Sequence, residues 1–104
     1  MAAISIPHSD PWVVARWAFR RLLERAAERL HDPADVQALE QAIALDGLHF
    51  DLLDQAQASR LAVALEVASD QLREELSGAH DDPRDIEFAE ALALLEMRLH
   101  DIHE

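Results

Sequence analysis

The chain has no cysteine, lysine, threonine or tyrosine, and only two glycines in 104 residues. The lack of cysteine excludes a disulfide framework, a thiolate zinc site and a cysteine nucleophile. Two glycines and four prolines are too few for a loop-rich or all-β chain. No apolar run approaches the roughly 20 residues of a membrane-spanning helix, so we predict no membrane segment. Residues 1–10 lack the basic and apolar regions of a signal peptide, which makes a cytoplasmic location the default expectation.

The charge is strongly one-sided. There are 21 acidic residues against nine arginines, which gives a formal net charge of −12. Such a negative field keeps a small protein soluble, repels nucleic acid and anionic membranes, and favours basic partners. We therefore expect no nucleic-acid or membrane binding, and a protein partner of basic character.

Aspartate followed by proline marks three helix starts, at residues 10–11, 32–33 and 82–83. An aspartate N-cap accepts hydrogen bonds from free backbone N–H groups, and proline at the first helical position has no N–H to lose. Asp51 with Asp54 marks a fourth start, and Gly47 and Gly78 are placed as helix stops. These signals predict helices over residues 11–30, 33–46, 51–77 and 83–102.

Apolar residues recur at helical spacing in all four segments, and the connections are short, which favours antiparallel packing of sequential helices. We predict an all-α fold, a four-helix antiparallel bundle. Residues 1–104 would form a single acidic helical domain, with residues 1–10 as an extended N-terminal arm. The predicted core consists of Phe19, Leu22, Leu39, Ile43, Leu61, Leu65, Leu72, Leu92, Leu95 and Leu99.

Two segments of the chain resemble each other: HDPADV at residues 31–36 and HDDPRDI at residues 80–86. One interpretation is duplication of a helical hairpin, which would make the bundle pseudo-symmetric. The other is convergence, because any two amphipathic helices capped by Asp-Pro look partly alike.

Catalytic and metal signatures are sparse. No Gly-x-Ser-x-Gly motif or phosphate-binding glycine loop is present, so we predict a non-enzymatic protein without a cofactor. The residues that come nearest to a metal site are Glu96, His100 and His103, which share one helix face. Such residues near a chain end are usually just solvated, so no metal is predicted.

The first predicted helix is the most unusual element, because it carries five of the nine arginines and is apolar nearly all round in its first half. At about 100° per residue, Val13 and Trp17 point away from the face that holds Trp12 and Phe19. A helix that is apolar on every side is either central or covered by a partner. We predict a homodimer interface formed by Trp12, Val13, Arg16, Trp17 and Arg20.

The leading functional hypothesis is a non-enzymatic protein-binding domain that self-associates, acting as an adaptor, an inhibitor or an immunity-like protein. Size, charge and helical class support it by analogy alone. Two alternatives stay open: a helical bundle that binds a metal or small ligand through Glu and His residues, and a purely structural homodimer module.

Overall fold

The computed structural model describes residues 1–78 and 82–103, the side chains of Asp101 and His103 excepted. It contains four α-helices and a small three-stranded sheet. In chain order the elements are β1 (Ala2–Ser5), β2 (Trp12–Val14), α1 (Arg16–Ala27), α2 (Pro33–Leu45), β3 (Gly47–His49), a 3₁₀ turn (Phe50–Leu52), α3 (Gln55–Leu76) and α4 (Pro83–His103).

The predicted all-α, four-helix antiparallel bundle is therefore wrong. The fold is mostly helical but includes a mixed sheet with the strand order β2-β1-β3. Strand β1 pairs with β2 in antiparallel orientation, with Ala3 opposite Val13, and with β3 in parallel orientation, with Ile4 opposite Leu48. The central strand lies within the segment predicted as an extended arm.

The helix predicted from Pro11 fails at its start, because Trp12, Val13 and Val14 form β2 and α1 begins only at Arg16. Aromatic and β-branched side chains fit a half-buried strand well. In β2, Trp12 and Val14 are buried and Val13 between them is exposed, which is the alternation typical of a strand.

The other three predicted starts are confirmed to within a few residues, and their caps are aspartates. The side chains of Asp32, Asp54 and Asp82 each accept a hydrogen bond from a backbone N–H in the first turn of α2, α3 and α4. The helix stop predicted at Gly47 lies one residue beyond the observed one. Asp46 adopts the left-handed conformation, with φ of 54°, while Gly47 begins β3.

The core lies where the helices and the inner face of the sheet meet. Of the ten predicted core residues, nine are buried, and Ile43 is partly buried against them. Helix α3 packs against both α1 and α4, and the sheet adds Ile4, Trp12 and Leu48 to the same core. His80 and Asp81, on which part of the duplication hypothesis rests, lie outside the described residues.

Candidate protein-binding surface

The predicted interface residues divide into exposed and buried ones. Val13 and Trp17 are exposed, at 51% and 42% of their surface. Trp12 is buried, and its indole Nε1 donates a hydrogen bond to the carbonyl oxygen of Ala91 in α4, at 2.7 Å. Trp12 therefore fastens β2 to α4 and takes no part in a surface.

Val13 and Trp17 lie at a groove of about 470 Å³ between the β2–α1 junction and α4, which we call the Trp17 groove. Met1 and Val13 line its β side, and Phe88 and Ala91 line it from α4. The Trp17 ring meets the Phe88 ring edge-on, with centroids 5.3 Å apart and planes inclined at 78°. This contact holds Trp17 in place while leaving much of it exposed.

Charged side chains stand around the apolar groove. On α4, Arg84 and Glu87 contribute to its lining. On α1, the two predicted interface arginines are already paired within the chain. Arg16 Nε lies 3.0 Å from Asp46 Oδ2, and Arg20 Nε lies 3.0 Å from Glu24 Oε1. The Arg20–Glu24 pair is exposed and Asp46 is half-buried beside an exposed Arg16, so both pairs contribute little to stability.

Strand β2 is an edge strand, but it offers little backbone to an added strand. The Ala3 N–H donates to Asp46, so Ala3 directs its backbone groups toward β3. The residues next to Ala3 in β1 therefore direct their backbone N–H and C=O groups toward β2. Within β2, only Val13 directs its N–H and C=O away from β1, toward the open edge of the sheet. Next along the chain, Pro11 has no N–H, and the Asp10 carbonyl accepts from Arg98 Nη1 at 2.8 Å. A partner would have to bind side chains here, since the free backbone edge is one residue long.

The three candidate metal ligands do not form a cluster in the described part of the chain. Glu96 accepts a hydrogen bond from Arg73, and His100 Nδ1 lies 3.9 Å from Glu66 Oε1 on the neighbouring helix. The side chain of His103 lies outside the described residues. Among the described residues, no group of three or more His, Cys, Asp or Glu is placed to hold a metal ion.

A buried carboxylate that the sequence did not single out joins α2 to α3. Asp35 is 1% exposed, and it accepts from Arg60 Nε at 2.7 Å, from Arg60 Nη2 at 3.1 Å and from Gln57 Nε2 at 3.2 Å. The hydrogen bonds from Arg60 lower the pKa of Asp35, although burial opposes them. Asp35 falls in the first turn of the helix predicted over residues 33–46, but nothing in the sequence indicates that its side chain turns inward. A cavity of about 560 Å³ lies beside the pair.

Comparisons of the chain with protein-family models, with curated proteins and with solved structures found no match. Within the described residues, no helix is both long and apolar enough to cross a membrane.

Proposed function

We propose that this protein is a non-enzymatic protein-binding domain and that it self-associates through the Trp17 groove. The observation that carries the proposal is the exposure of Val13 and Trp17 side by side at one groove. Fully burying a large apolar side chain is worth on the order of 1.5–3 kcal/mol, a large fraction of the stability of a small domain. Contiguous exposed apolar groups of this kind mark interaction sites in soluble proteins. A cytoplasmic location and the lack of catalysis stay predictions.

The charges at the groove favour a second copy of the chain as the occupant. Arg84 and Glu87 lie three residues apart on α4 and both line the groove. A two-fold axis that passes between these two residues brings each of them against the other residue of the partner copy. Arg84, which pairs with Asp82 at 3.4 Å within its own chain, would exchange that partner for Glu87 of the other copy, twice in each dimer. In this arrangement the two copies contact each other through side chains over the apolar part of the Trp17 groove. Contact through side chains also agrees with the short free backbone edge of β2.

Sedimentation at several concentrations tests the proposal. We expect the wild type to form dimers and a Val13→Glu, Trp17→Glu variant to remain a folded monomer, because two carboxylates would be forced into the apolar contact. The matched control is Leu45→Glu with Leu52→Glu. Both of these side chains are 78% exposed, and the control adds the same charge away from the groove. It should dimerise like the wild type.

A charge exchange sharpens the same experiment. Arg84→Glu and Glu87→Arg should each weaken the dimer, because each brings like charges together. The double variant should restore most of the affinity, because residues 84 and 87 again carry opposite charges. A wild type that stays monomeric at high concentration, or a dimer that the Trp17 variant leaves intact, would refute self-association through this groove. The alternative of a metal- or ligand-binding bundle lacks a comparable observation among the described residues.

A further inference from the structure

Helix α4 has a second apolar face on the side away from the core. Its inner face holds Phe88, Leu92, Leu95 and Leu99, which are all buried. Ile86, Leu94 and Met97 are nevertheless 46%, 45% and 72% exposed. At 100° per residue these three lie with Glu90 and Ala93 within an arc of about 100° opposite the inner face. We call these five residues the α4 outer face.

The outer face borders a groove of about 370 Å³ between α4 and the end of α3. Its apolar lining consists of Leu76, Ile86, Ala89 and Ala93. Helix α3 already covers the inner face of α4, and nothing in the described part of the chain covers Met97. A helix that is apolar on two opposite sides buries the second side only against a partner.

The charges around the outer face are acidic. Glu90 lies within it, and Asp85 lines the adjoining groove; Arg73, which also lines that groove, is paired with Glu96. The two arginines of α4 are directed elsewhere: Arg98 donates to the Asp10 carbonyl and Arg84 to the Asp82 carboxylate. The chain as a whole carries −12. A second copy is a poor occupant, because a two-fold contact on this face would bring the two Glu90 carboxylates toward each other.

We propose that the α4 outer face binds a basic amphipathic helix of another protein. The apolar side of that helix would lie on Ile86, Leu94 and Met97, and its Lys and Arg side chains would meet the surrounding carboxylates. Helix-in-groove recognition uses apolar anchors on the ligand helix at i, i+3, i+4 and i+7, together with charge complementarity that orients the ligand. This surface is separate from the Trp17 groove, so the proposal does not depend on self-association.

The test is fluorescence anisotropy with a labelled synthetic peptide of about 18 residues, long enough to span the α4 outer face from Ile86 to Met97, with Leu at i, i+3, i+4 and i+7 spacing and Lys elsewhere. A peptide of the same pattern with Glu in place of Lys measures the charge requirement. We expect the basic peptide to bind and the acidic one not to bind. An Ile86→Glu, Met97→Glu variant should bind the basic peptide at least about tenfold more weakly.

The negative charge that the substitution adds distinguishes docking on the apolar face from general electrostatic attraction. The variant is more acidic than the wild type, so unspecific electrostatic binding would become tighter while docking on the apolar face becomes weaker. The Leu45→Glu, Leu52→Glu control adds the same charge elsewhere and should bind no more weakly than the wild type. Absence of binding by the wild type, or equal or tighter binding by the Ile86 and Met97 variant, would overturn the proposal. The Val13→Glu, Trp17→Glu variant should retain peptide binding, so the two surfaces are tested separately.

Discussion

Replacing Leu65 with Ala should lower the free energy of unfolding by about 2–5 kcal/mol. Leu65 is fully buried in the middle of α3, the helix that packs against both α1 and α4. The loss combines the transfer free energy of the deleted carbons with the cost of the cavity left behind. Because Ala is at least as good a helix former as Leu, helix propensity does not contribute to the loss.

Urea denaturation followed by circular dichroism measures this loss. The matched control is Val63→Ala, two residues earlier on the same helix, where the side chain is 45% exposed. We expect the control to change stability by no more than about 0.5 kcal/mol, since it creates no internal cavity. If Leu65→Ala cost well under 1 kcal/mol, or no more than the control, then α3 would present a different face to the core.

Helix starts and the core could be predicted because both depend on local signals. An aspartate cap satisfies backbone donors within its own first turn, and this held at Asp32, Asp54 and Asp82. The buried stripe of α3 follows from 3.6-residue periodicity over a long helix. The stop near Gly47 was misplaced by one residue, because aspartate also tolerates the left-handed conformation that Asp46 adopts.

The sheet could not be predicted in the same way. Its strands are three or four residues long, too short for a period of two to be distinguished from helical spacing. Ala2, Ile4 and Ile6 are buried in alternation along the first segment, but the sequence itself alternates only at Ile4, Ser5 and Ile6, because Ala3 is apolar too. The parallel pairing of β1 with β3 joins residues more than 40 positions apart, which no local pattern indicates.

Because residues 12–14 were predicted to be helical, the predicted interface included a residue that is buried in the structure. If residues 11–30 were one helix, Trp12 and Trp17 would point in directions set by 100° per residue. In the structure Trp12 belongs to a strand and turns into the core, while Trp17 lies in the first turn of α1 and stays exposed. Val13 was predicted to be exposed and is exposed in the structure, because it is the middle residue of β2 and points away from the core, opposite to its two buried neighbours.

The second large effect concerns the buried pair of Asp35 and Arg60. Arg60→Met should destabilise the protein more than Asp35→Ala, for which we expect a loss of about 1–3 kcal/mol. With Arg60 gone, the Asp35 carboxylate stays buried, and Gln57 is the one remaining donor of the three. A buried charge without its partner costs more than the pair is worth. A double variant, Asp35→Leu with Arg60→Met, should recover much of the loss, because it removes both charges.

The pH dependence of stability gives this prediction a distinct signature. In the wild type the pKa of Asp35 is lowered, chiefly by the Arg60 hydrogen bonds. Its contribution to stability is therefore present above the unfolded pKa of about 3.9 and is lost as the pH falls through the folded value. In Arg60→Met we expect burial, the largest cause that opposes the Arg60 hydrogen bonds in the wild type, to raise the pKa of Asp35. The contribution then reverses: it is greatest below the unfolded pKa and is lost as the pH rises through the folded one.

Urea unfolding of the wild type and of Arg60→Met between about pH 3 and pH 8 should therefore give a stability difference that is large at neutral pH and shrinks on acidification. The remaining carboxylates are common to both proteins, so their titration largely cancels in the difference. Arg20→Met is the matched control, because the Arg20–Glu24 pair is exposed on both sides and its removal should leave stability nearly unchanged at every pH. A difference between wild type and Arg60→Met that stays constant with pH would show that Asp35 is not held as a buried carboxylate. If instead the difference shrinks as expected and the double variant regains stability, the charge on Asp35 is what ties α2 to α3 through Arg60.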